Sequence, residues 1–100
     1  MFIDTHAHLY ASEFDADRME MIRRAENAGV GRIYLPNVDV TTVDALSATT
    51  QMAPDLLFPL MGLHPRNVKQ DYISQLKNIE AALSKKNYYG IGEIGIDLYW

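Results

Sequence analysis

The sequence predicts an α/β fold in which four parallel strands alternate with three helices, and three observations point to it. Short apolar runs alternate with longer stretches whose apolar residues recur at helical spacing. Strands joined by helical crossovers imply a parallel sheet covered by helices. The residues able to bind metal or move protons fall just after predicted strands, where α/β sheets and (β/α)₈ barrels place their chemistry.

The elements follow in order. Phe2 and Ile3 read as a buried strand leading into Asp4-Thr5-His6-Ala7-His8. Ser12 or Asp15 can cap the first helix, Met19, Ile22, Ala25 and Ala28 give its apolar stripe, and Gly29 is placed to end it. Arg32 to Leu35 is a short strand closed by Pro36-Asn37. The second helix begins near Thr41 or Thr42, turns Val43 and Leu46 inward, and ends at Pro54. Leu56 to Leu63 is an almost wholly apolar third strand. Tyr72, Leu76, Ile79 and Leu83 line the third helix, and Lys85-Lys86 suit the negative end of its dipole. Tyr88 to Glu93 is the fourth strand.

Composition narrows the function. Nine basic against thirteen acidic residues give a net charge of −4, which is the wrong sign for a protein that grips nucleic acid through a broad basic surface. A phosphate-ester substrate would therefore need metal ions to supply much of the positive charge. There is no cysteine, so thiolate chemistry is excluded and a reducing compartment fits. No secretory signal or membrane-spanning run is visible, and the expected location is cytoplasmic.

Length sets a further expectation. Residues 1–100 read as a single α/β unit, whereas a complete (β/α)₈ barrel takes about 250 residues. The chain closes on the apolar Asp97-Leu98-Tyr99-Trp100. Four strands would leave sheet edges unpaired, so the expectation is the N-terminal half of a barrel. The remainder of the barrel, or self-association, would cover those edges.

Three stretches carry the chemistry. In an extended chain Asp4, His6 and His8 share one face, and two imidazoles at that spacing can take two positions on one divalent metal. A pair of structural or surface histidines is the alternative; the apolar strand and the in-register aspartate favour metal. Glu93 stands at the mouth of the fourth strand, where a carboxylate serves as a metal ligand, a general base or a capping group, and can bridge two cations. His64, between Gly62-Leu63 and Pro65, can bind metal, move a proton or hold a phosphate; a histidine hydrogen-bonded to loop backbone is the alternative. Arg66 could add a phosphate contact or simply be solvated, Asp97 could orient a ligand or bind metal, and Asp4 could fix His6 or His8 or simply hydrogen-bond the loop. Gly90-Ile91-Gly92-Glu93-Ile94-Gly95 matches the dinucleotide-binding pattern letter for letter. It follows the fourth strand and puts a carboxylate where phosphates would sit, so nicotinamide or flavin binding is set aside.

Taken together, Asp4-Thr5-His6-Ala7-His8-Leu9, Gly62-Leu63-His64-Pro65 and Gly92-Glu93-Ile94-Gly95-Ile96-Asp97 resemble the successive signatures of TatD-type metal-dependent hydrolases. The resemblance implies an amidohydrolase-like (β/α)₈ barrel and a divalent-metal-dependent deoxyribonuclease that cleaves DNA phosphodiester bonds as an exonuclease. It implies that His6 and His8 bind a first metal, that Glu93 bridges two and is the catalytic ligand, and that His64 contacts the substrate phosphate. Two divalent ions, Mg, Mn or Zn, would be the cofactors, and the family's further ligands and its water-activating aspartate would come from later strands. An esterase or deacylase on the same scaffold and an inactive half-barrel are the alternatives.

Overall fold

The computed structural model describes residues 1–99; Trp100 of the apolar terminal segment lies outside the described residues. Strands β1 (Phe2–Asp4), β2 (Val30–Pro36) and β3 (Leu57–Leu60) form a parallel sheet in that order. Helices α1 (Arg18–Asn27), α2 (Val43–Met52) and α3 (Tyr72–Lys85) fill the intervals, so the predicted α/β order holds through the third helix.

The local signals explain where elements stop. Gly29 takes φ +93°, a left-handed conformation that glycine adopts without strain, and it turns the chain out of α1 into β2. A 3₁₀ turn at Val40–Thr42 leads into α2. Its cap is Asp39, whose Oδ1 accepts from Thr41 N at 2.9 Å while Thr42 Oγ1 accepts from Asp39 N at 3.2 Å. Pro54 follows the end of α2, as its missing N–H requires.

Along the strands the period of two sorts side chains by face. Ile33, Leu35 and Leu57 are buried in a core shared with Ile22 of α1, Leu46 of α2 and Ile79 of α3. The other face carries Tyr34, Phe58 and Arg32, with the two rings 5.5 Å apart and the guanidinium 5.1 Å from the Phe58 ring.

Several expectations are corrected. Phe2 and Ile3 are 69% and 50% exposed, because among the described residues β1 has a strand beside it on one edge only. Residues Tyr88 to Glu93 do not form a strand. They lie along β3, with Tyr89 N donating to Pro59 O, Met61 N to Gly90 O and Gly92 N to Met61 O, and form one bridge, Met61 to Ile91. The segment then crosses toward β2 and the ladder ends. For the same reason the third strand is Leu57–Leu60 rather than Leu56 to Leu63. Tyr72 and Leu76 of α3 and Met19 of α1 are exposed, since α3 buries only its second half. Neither Ser12 nor Asp15 caps α1; Asp15 instead pairs with Arg18 at 2.8 Å.

The segment crosses to Asn37, which follows β2 and is fully buried. Its N–H donates to both Leu60 O and Gly92 O, and its carbonyl accepts from Glu93 N at 3.1 Å. Nδ2 donates to Gly62 O at 3.0 Å and Asp39 O at 2.9 Å, and Oδ1 accepts from Thr42 Oγ1 at 2.7 Å. Asn37→Ala should destabilise the fold by about 2–4 kcal/mol, since each buried polar group left unpaired costs roughly 1–3 kcal/mol. The check is a lowered urea midpoint at unchanged slope.

Candidate metal centre

Strand β1 ends at Asp4, so His6 and His8 sit in the loop beyond it rather than on the strand. The loop is held by its backbone: Asp4 Oδ1 accepts from His6 N at 3.0 Å and Ala7 N donates to Tyr34 O at 3.1 Å. Arg18, at the start of α1, braces the far side by donating to Leu9 O at 2.7 Å and Ala11 O at 2.8 Å. Asp4 therefore orders the loop backbone.

Glu93 arrives from the opposite direction, carried by the hydrogen bond to Asn37 O. His6 Nε2 and His8 Nε2 stand 3.1 Å apart, and Glu93 Oε2 lies 3.1 Å from the first and 3.3 Å from the second. Donors about 2.0–2.2 Å from one cation lie roughly 3 Å from each other, so the triangle has the dimensions of three ligands on a single ion. Glu93 Oε2 is also buried without a hydrogen-bond partner. A carboxylate oxygen in that position is costly unless a cation meets it, and the residues present fit a divalent metal. Burial, and after it the neighbouring His6, holds the His8 pKa below its usual value, which keeps this imidazole in the neutral form a metal requires.

His64 serves a different purpose from the other two histidines. Its Nδ1 accepts from Arg66 N at 3.0 Å, capping the 3₁₀ turn Pro65–Asn67. With Nδ1 occupied as an acceptor, the neutral ring carries its proton on Nε2, which lies 3.0 Å from Glu93 Oε1. His64 thus donates to the glutamate oxygen that faces away from the His6–His8 pair. Its loop is pinned by His64 N donating to Val38 O at 2.7 Å.

His6, His8, Glu93 and His64 therefore converge in space. Asp97 Oδ1 accepts from Tyr99 N at 2.8 Å, and Asp97 is not within the His6–His8–Glu93 group. The glycine pattern at Gly90 to Gly95 opens no helix. Three residues of this neighbourhood were not singled out from the sequence: Arg18, Tyr10 and Asn37. A tyrosine two places after His8 and an asparagine after a strand-ending proline are visible in the sequence, but neither type marks a site unaided.

The family described as TatD related DNase matches residues 3–100. The chain is 31% identical over 100 residues to the uncharacterized metal-dependent hydrolase YjjV of Escherichia coli, covering 98% of this chain and 38% of the relative. It is 31% identical to the uncharacterized metal-dependent hydrolase YabD of Bacillus subtilis, covering 100% of this chain and 39% of that one. It is 28% identical over 94 residues to the 3'-5' ssDNA/RNA exonuclease TatD of Pectobacterium carotovorum, covering 94% of this chain and 36% of the exonuclease. The crystal structure of YjjV, a TatD homolog, superposes with a TM-score of 0.87 over 99% of this chain and 39% of that chain, at 31% identity. The chain thus spans about two-fifths of the length of these relatives.

Gly62 is the close approach on which the site turns. A Cβ there would lie 2.9 Å from Glu93 O and from Gly92 C, both backbone atoms that cannot swing aside. Gly62→Ala should push the Glu93 segment away and weaken Zn²⁺ binding by more than about tenfold, measured by calorimetry. Gly90→Ala, whose Cβ meets only the flexible end of Leu60, should bind nearly as the parent does.

Proposed function

The chain belongs to the TatD related DNase family, and from that premise we propose that it supplies the first half of a two-metal nuclease site that cleaves DNA phosphodiester bonds from an end. The observation that carries this reading is the convergence of His6 Nε2, His8 Nε2 and Glu93 Oε2 to within 3.1–3.3 Å of one another. Metal-dependent hydrolysis, the deoxyribonuclease activity, the pair of ions and their identity as Mg, Mn or Zn all belong to the proposal.

Each residue has a defined task. His6 and His8 present two nitrogen donors from one loop. Glu93 directs Oε2 at that pair and Oε1 outward toward His64, so one carboxylate can serve two cation positions. Divalent ions held by these residues would supply a lowered pKa for bound water and positive charge for the phosphoryl oxygens. His64 has one N–H, which donates to Glu93 Oε1 in the folded chain; a second cation on Oε1 would displace that hydrogen bond and free the N–H for an oxygen of the substrate phosphate. With a net charge of −4 and only nine basic residues, the chain leaves most of the attraction for phosphate to the cations. We assign the further ligands, and the aspartate that takes the proton from water, to later strands of a complete barrel. Those strands, or a second copy, would also cover the open edge of β1. Among the described residues no helix is long and apolar enough to cross a membrane, and the absence of cysteine fits the cytosol.

In a protein carrying this sequence at the length of its relatives, Glu93→Ala should abolish metal-dependent release of nucleotides from end-labelled single-stranded DNA. Retained cleavage would remove Glu93 from the mechanism. Turnover of an ester substrate with none of DNA would reassign the site to ester hydrolysis.

A further inference from the structure

We infer that Tyr10 is a positioning residue that sets which ring nitrogen of His8 carries the proton, leaving Nε2 open toward the cation; this rests on the reading of His8 as a metal ligand. Tyr10 is only 4% exposed. Its hydroxyl lies 2.5 Å from Pro36 O and 2.8 Å from His8 Nδ1. A carbonyl oxygen can only accept, so the single hydroxyl proton goes to Pro36. The hydroxyl then has no proton for His8, and Nδ1 must donate to it.

A neutral imidazole has one N–H. With that proton on Nδ1, Nε2 keeps a bare lone pair, and Nε2 is the atom that faces His6 Nε2 and Glu93 Oε2. The opposite tautomer would aim its N–H at Glu93 Oε2, 3.3 Å away, and occupy the space between the ligands. Without the Tyr10 hydroxyl, Nδ1 loses its acceptor and that tautomer gains by comparison. The relay from His8 through Tyr10 ends on Pro36, a fully buried residue at the end of the central strand, so the ring is held by the sheet rather than by its own loop.

The test uses the full chain with ¹⁵N-labelled imidazoles, free of metal and at mildly alkaline pH, where histidine is neutral. In the wild type, long-range ¹H–¹⁵N correlation should show His8 protonated on Nδ1 and bare on Nε2. A proton on Nε2 would overturn the inference without any variant. In Tyr10→Phe the proton should redistribute toward Nε2, and Zn²⁺ affinity should fall roughly 10–100-fold, the usual effect of losing an outer-shell partner. A folded Tyr10→Phe with unchanged tautomer or unchanged Zn²⁺ affinity would reduce Tyr10 to a packing residue. If Tyr10→Phe does not fold, the wild-type spectrum decides. A wild type that shows the expected tautomer but binds no Zn²⁺ would overturn the metal reading alone.

Discussion

The site depends on the need to satisfy the backbone at the end of one strand. β2 is the central strand of the sheet, and its last groups would be stranded in the interior if nothing reached them. Pro36 O takes the Tyr10 hydroxyl, Asn37 exchanges hydrogen bonds with Gly92 and Glu93, and Val38 O takes His64 N. Three loops from three other parts of the chain are thereby drawn over one strand end. Each brings one part of the cluster: His8 with the Tyr10 loop, Glu93 with the 88–93 segment, His64 with the loop after β3. The strand that organises the centre contributes none of the cluster's side chains, and the Asn37 side chain locks the arrangement by holding Gly62 O as well.

This division decides what the sequence could reveal. Ile33, Leu35 and Leu57 alternate with residues of the other face, and the stripes containing Ile22, Leu46 and Ile79 have helical period, so strands, helices and their order were legible. The candidate ligands were legible because their chemistry is uncommon in a core, and His6, His8 and Glu93 meet in space. What failed were statements that depend on a neighbour. Phe2 and Ile3 have the composition of a buried strand, but burial is a property of the pair, and among the described residues β1 has a partner on one edge only. Tyr88 to Glu93 has strand composition too, yet Asn37 captures Gly92 and Glu93 and ends the pairing with β3. Asn37 and Tyr10 escaped notice because a buried polar side chain is recognisable only from its partners, one of which for each lies 25 or 26 residues away in sequence.

The two oxygens of Glu93 show how such a frame yields reactivity. Oε1 has a donor in His64, whose ring is itself set by the Arg66 amide. Oε2 is buried against two imidazole nitrogens and has no hydrogen bond. A protein that only needed to bury this carboxylate would satisfy both oxygens, since a lone buried acceptor costs about 1–3 kcal/mol and more when charged. Here backbone contacts that serve folding fix Glu93 in place, while the unsatisfied oxygen and the two nitrogens share one small space. The histidines could relieve that cost by donating from Nε2, but only by filling the space between the three atoms. On the metal reading proposed above, a divalent cation would relieve it while using all three lone pairs at once. The cost left in the folded chain would then become affinity for the ion, and burial, which lowers the His8 pKa, would favour the neutral imidazole that such an ion needs.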